Sequence, residues 1–288
     1  MGRHKRFILL CLLAVQMGCA VRSTWWRSPD EQARDTLVLA GFSVLPARQE
    51  KFGRLTDPSP LLAAVRLKDG AQFLTVFIEG DGAAWPRQSM PPTDPTPVNP
   101  LALHLAVAHS AIYSESVAYL GRPCQYLSPQ ELLACPIQWW TTGRFGMVPL
   151  ALISSAIDNI KATSPNAQLR LVGYSGGGAV AALLAAQRDD VSCLVTVAAP
   201  LDTDAWTAAK NVTTLKESLN PLLTAHKLRG MLMTHWTGGS DEVVPSGVNK
   251  KFFEAANALN QRQTGFDHHT RWLDAWPDMA RKNCIPNQ

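Results

Sequence analysis

Beyond its first six residues the 288-residue sequence has no cluster of Lys and Arg. Of its 27 Lys and Arg, Arg3, Lys5 and Arg6 precede an apolar run, and without them 24 cations face 23 anions. A nucleic-acid partner is therefore not expected, because phosphate binding needs several cations on one face. Cysteine is sparse, with six in all and no C-x-x-C pair, so no thiolate metal site is indicated. No apolar stretch reaches the roughly 18–20 residues that a permanent membrane-spanning helix requires. Internal repeats, low-complexity tracts and a linker between domains are also missing. What remains is 46% hydrophobic residues, ordinary for a globular chain with one sizeable core.

The N-terminus carries a different signature. Three cations are followed by the apolar run Phe7 to Val15 and by Gly18 and Ala20 around Cys19, the order of a targeting segment. Met17-Gly18-Cys19 resembles the end of a bacterial lipoprotein signal, in which the cysteine becomes the lipidated first residue. That likeness implies export, with a lipid anchor at Cys19 on the periplasmic face of the outer membrane; the alternative is a soluble periplasmic or secreted form. The organisation expected is a signal over residues 1–18, a loosely held tether over 19–35 and a single domain over 36–288. Export makes disulfides admissible. Cys124 and Cys135 bracket a short polar loop and are expected to bridge. Cys193, in an apolar run, is open to pairing with Cys284 or to simple burial.

From Leu61 onward, short β-type runs alternate with longer helical patterns. Leu61 to Val65 and Phe73 to Ile78, around Lys68-Asp69-Gly70, predict an antiparallel hairpin. Further strands are predicted at Ser116 to Leu120, Leu169 to Val172, Cys193 to Ala198 and Gly230 to Trp236. Helices are predicted at Leu101 to His109, Val148 to Thr163, Gly177 to Gln187 and Ser246 to Leu259. This alternation specifies an α/β fold with a mainly parallel sheet between helices. Two Pro-rich stretches, Met90 to Pro100 and Cys124 to Pro136, follow strand ends, where open α/β sheets build binding sites. Trp206 to Leu222 is expected to form a small cap.

Chemistry concentrates at Gly173-Tyr174-Ser175-Gly176-Gly177, between a predicted strand and a small-residue helix. The Gly-x-Ser-x-Gly pattern in that context is a nucleophile elbow: the serine sits on a strained turn at a helix N-terminus, where developing negative charge is favoured. A looser match, Gly176-x-Gly178-x-x-Ala181 with Asp202, to a dinucleotide fingerprint sits mid-chain rather than in an opening βαβ unit. No cofactor is therefore indicated.

The partners of a nucleophilic serine follow in chain order. Asp241, in a turn after the strand ending at Trp236, is the candidate acid, with Asp202 and Glu242 as rivals. His268 is the candidate base, favoured over its neighbour His269. An acid that accepts a hydrogen bond from the imidazole Nδ1–H fixes the tautomer needed to deprotonate serine. Two backbone N–H groups must meet the oxyanion; Gly176 supplies one, and Asp81, in the Gly-rich turn after Ile78, is the candidate for the other.

Together these residues resemble the α/β-hydrolase superfamily, and more narrowly a group of secreted and lipoprotein bacterial serine hydrolases. The narrower likeness rests on Ile78-Glu79-Gly80-Asp81-Gly82 with Trp85, Gly121-Arg122-Pro123-Cys124, Trp140-Thr141-Thr142-Gly143-Arg144, Ala199-Pro200-Leu201-Asp202 and Ser218-Leu219-Asn220-Pro221. The resemblance implies a serine esterase acting on a small-molecule ester or related acyl compound through an acyl-enzyme. The alternative is a fold retained for binding without catalysis. Where many superfamily members carry His-Gly, this chain has Glu79-Gly80, so Arg122 or Arg144 is expected to neutralise Glu79. Trp85, Trp139, Trp140 and Trp236 are candidates to line an acyl pocket.

Overall fold

The structure, a computed structural model, describes residues 27–45, 61–83 and 90–282. The targeting segment with Cys19 lies outside these residues, as do Trp85 and Cys284. Among the described residues no helix is long and apolar enough to cross a membrane.

Among the described residues eight strands form one sheet: β1 (Ser43–Val44), β2 (Ala63–Arg66), β3 (Phe73–Ile78), β4 (Ser116–Leu120), β5 (Gln168–Tyr174), β6 (Val191–Val197), β7 (Leu232–Gly238) and β8 (Asn260–Gln263). Their spatial order is β1-β2-β4-β3-β5-β6-β7-β8. Strands β1 to β2 and β2 to β4 pair antiparallel, and every other pair is parallel. The predicted hairpin is thus absent: β4 lies between β2 and β3, with Val65 opposite Ala118 on one side and Val76 opposite Ala118 on the other. Central strands β3 to β6 are buried almost throughout, which explains their near-continuous apolar sequence.

Helices cover both faces. On one lie α1 (Pro29–Leu39), α2 (Leu101–Ile112) and, from the far end of the chain, α8 (Trp272–Arg281), meeting a core that includes Phe77, Tyr119, Trp236, Trp272 and Trp276. On the other lie α4 (Met147–Lys161), α5 (Gly176–Ala185) and α7 (Lys250–Ala256) over Leu74, Val76, Leu171 and Leu194. The short helices α3 (Pro129–Leu133) and α6 (Thr203–Lys210) sit in loops that follow β4 and β6.

Part of the expected tether is ordered. Ser28 and Glu31 form a capping box, Pro29 starts α1, and Ala33 and Leu37 are buried in the core. The stretch Trp206 to Leu222 is fastened to the domain, with Leu215 buried in the core and the N–H of Leu219 donating to the carbonyl of Phe145. Cys124 and Cys135 are bridged. Cys193, buried on β6, is disulfide-bonded as well.

Candidate active site

All parallel strands point their C-terminal ends to one edge, and the candidate residues follow those ends in turn. Ser175 follows β5 with φ 51° and ψ −127°, a conformation that costs a non-glycine residue of order 1–3 kcal/mol and is held by its surroundings. Its N–H donates to the carbonyl of Val197, and α5 begins at the next residue. The motif's glycines are needed because a Cβ at Gly177 would overlap the carbonyls of Ile78 and Glu79 at the end of β3.

Asp241 follows β7, and its side chain is fully buried. One carboxylate oxygen accepts from the N–H groups of Val243 (2.9 Å) and Val244 (2.8 Å), fixing the turn. The other lies 2.8 Å from His268 Nδ1, and His268 Nε2 lies 3.0 Å from Ser175 Oγ. Three side chains far apart in sequence are thus joined in one hydrogen-bonded row.

His268 is held from behind. Trp272, in the first turn of α8, donates its indole N–H to the carbonyls of Asp267 (2.9 Å) and His268 (3.1 Å). That contact gives a physical reason for a tryptophan four residues after the histidine. Asp267 accepts from the N–H groups of His269 and Thr270, closing the turn.

The rivals are engaged elsewhere. Asp202 caps α6 through the N–H of Ala205 and accepts from the amide of Asn220. Glu242 is exposed, and its carbonyl accepts from Lys210. His269 is exposed and bonds through Nδ1 to the hydroxyl of Tyr174 at 2.9 Å.

After β3 the chain turns at Glu79-Gly80-Asp81, and here the expected ion pair is rearranged. Arg122 Nη1 lies 3.0 Å from one oxygen of Asp81 and Arg144 Nη1 lies 2.8 Å from the other. Burial alone would raise the Asp81 carboxyl, but the two guanidinium groups outweigh it and hold it below its usual range. Glu79 pairs with neither arginine. It accepts from the N–H of Gly80 (2.9 Å), the hydroxyl of Tyr119 (3.1 Å) and the N–H groups of Leu103 (3.3 Å) and Ala102 (3.4 Å). The acid caps α2, whose N-cap residue Pro100 has no side chain able to do so. Burial nevertheless pushes its carboxyl above the ordinary value.

A loop stapled by Cys124 supports this turn. Gln125 donates to the carbonyl of Gly80 (3.0 Å) and accepts from the N–H of Arg122 (2.9 Å), and the Tyr126 hydroxyl meets that of Tyr119 at 2.8 Å. Further out, Ser218 accepts from the N–H of Phe145 and donates to the carbonyl of Thr142, fastening the segment that carries Arg144. Of the tryptophans assigned to an acyl pocket, Trp236 belongs to the core and Trp140 is buried, with its indole N–H on the carbonyl of Pro92.

By sequence, no family profile and no curated protein matches the chain. By structure, it is similar to an esterase of Pyrococcus furiosus, with TM-score 0.59 and 13% identity over 85% of this chain and 90% of that one. An α/β serine hydrolase of Xanthomonas campestris, described as without a lid, gives TM-score 0.51 and 16% identity over 86% and 96%. Puromycin hydrolase gives TM-score 0.58 and 16% identity over 83% of this chain, which spans 37% of that enzyme's length. The chain has the α/β-hydrolase fold. Within that fold, the C-terminal strand edge described above is where the row of Ser175, His268 and Asp241 sits.

Proposed function

We propose that this chain is a serine hydrolase that cleaves a carboxylic ester, or a related acyl compound, through an acyl-enzyme. The observation that carries the reading is the unbroken row from Ser175 Oγ to His268 Nε2 at 3.0 Å and from His268 Nδ1 to Asp241 at 2.8 Å. His268 removes the hydroxyl proton as Ser175 attacks the acyl carbon. Asp241 holds the imidazole in the Nδ1–H tautomer and stabilises the imidazolium that forms. The oxyanion is met by the N–H groups of Gly176 and Asp81. Collapse expels the alcohol, which takes its proton from His268, and a water molecule repeats the sequence to release the acid.

The supporting context is the strained elbow at a helix N-terminus and the likeness in fold to esterases and serine hydrolases. A fluorophosphonate probe should label the folded wild type at Ser175 and leave Ser175→Ala unlabelled. Chromogenic esters of graded chain length should be turned over by the wild type, with kcat at least 10³-fold lower in Ser175→Ala. A folded protein that is neither labelled nor active would instead be a non-catalytic binding protein. The reading extends to export, with a lipid anchor at Cys19 on the periplasmic face of the outer membrane. It predicts palmitate incorporation in cells that is lost in Cys19→Ser.

A further inference from the structure

We infer that Arg122 and Arg144 are positioning residues for turnover, locking Asp81 against the elbow so that its backbone N–H stays aimed at the developing oxyanion. The inference rests on the hydrolase reading and deepens it. Asp81 lies between two immobile surfaces. On one side its carboxylate packs so closely on Gly176 that a Cβ there would overlap it. On the other, each oxygen is taken by a separate guanidinium.

The two arginines come from different loops and are themselves fixed. Arg122, 3% exposed, also donates to the carbonyl of Arg144, and its own N–H is held by Gln125. Arg144 donates from Nε to the carbonyl of Thr141 at 2.7 Å. Gln125 secures the carbonyl of Gly80, one residue before Asp81. A carboxylate beside a forming oxyanion would oppose the reaction if it were bare. Paired to two cations, it serves as a handle by which the peptide N–H is oriented, which suits a donor that must be in place before charge develops.

Arg144→Gln removes one clamp at a side chain that is 11% exposed, less deeply buried than Arg122, and Arg144→Lys keeps the charge without the fork. For the full chain with a chromogenic ester, Arg144→Gln should lower kcat per titrated active site about 10²-fold, as loss of one oxyanion donor does. KM should change less than about threefold. Affinity for a boronic acid, which forms a tetrahedral adduct with serine, should weaken in parallel with kcat, and Arg144→Lys should recover part of both.

Unchanged kcat per titrated site overturns the inference. So does a fall in activity explained wholly by a smaller titratable fraction or a lower thermal midpoint. If Arg144→Gln does not fold, Asp81→Asn, which keeps the N–H and the shape but loses both ion pairs, should show the same split between kcat and KM. A wild type that is not titrated at Ser175 would refute the hydrolase reading itself, a result distinct from either of these.

Discussion

The hydroxyl of Tyr174, the residue just before Ser175, donates to the backbone carbonyl of His268 across 3.0 Å. A phenol has one proton, so its 2.9 Å contact with His269 Nδ1 requires that ring to donate in return. Burial, with nearby acids, pushes the phenol well above its usual pKa and keeps it a neutral donor. The elbow and the base loop are thus tied together directly. Tyr174→Phe should lower kcat roughly tenfold, about the worth of one hydrogen bond that fixes geometry, with KM little altered. Steady-state kinetics on a chromogenic ester checks this.

Glu79→Ala removes the cap of α2 and leaves the hydroxyl of Tyr119 and three backbone N–H groups without their acceptor. A cost of about 3 kcal/mol is expected, or a fall in Tm on the order of 10 °C. Glu79→Gln, which keeps an acceptor oxygen, should lose less. Calorimetry on the two variants makes the comparison.

His235 is fully buried on β7, with Nδ1 2.8 Å from the hydroxyl of Thr196. Burial lowers its pKa from 6.5 to about 3. The unfolded chain therefore takes up a proton there that the folded chain refuses. The stability linked to this residue is whole above pH 6.5 and is lost as pH falls toward about 3, by about 1.4 kcal/mol per pH unit at most. His235→Phe forgoes the Thr196 bond and is expected to be less stable than wild type at pH 7.5. The gap between the two should narrow by about 2 kcal/mol at pH 5. A gap that does not change with pH would count against this reading.

The bridge between Cys124 and Cys135 closes a short ring, with Cys135 eleven residues after Cys124. A ring of that size contributes about 2–3 kcal/mol. The double variant Cys124→Ala, Cys135→Ala should melt roughly 5–10 °C lower. It should also lose kcat more than KM, because Arg122 and Gln125 flank Cys124 and hold the turn at Asp81.

Much of the fold was legible because the signals were local. Strand β4 was predicted residue for residue, since an apolar run bounded by Ser116 and Gly121 leaves little choice. The meeting of Ser175, Asp241 and His268 was legible for another reason: each follows a strand or precedes an aromatic helix, and their chain order is informative. What was illegible depends on partners distant in sequence. The pairing of β2 with β4 rather than β3 cannot be read from a short loop. Strand β8, Asn260–Gln263, has no apolar residue to mark it. The arginines chose Asp81 over Glu79 because the N-terminus of α2 already satisfies Glu79, an arrangement that exists only after folding.

The composition of β8 also bears on how copies of this protein meet one another. Among the described residues, Asn260, Gln261, Arg262 and Gln263 form the last rung of the sheet, and at the opposite border β1 offers two residues. Unpaired backbone at a sheet border invites another chain to add on, and nature discourages this with brevity and with strongly hydrated side chains. One flank here is short and the other is coated in amides and a guanidinium, so copies of this protein crowded together are guarded against growing into fibrils.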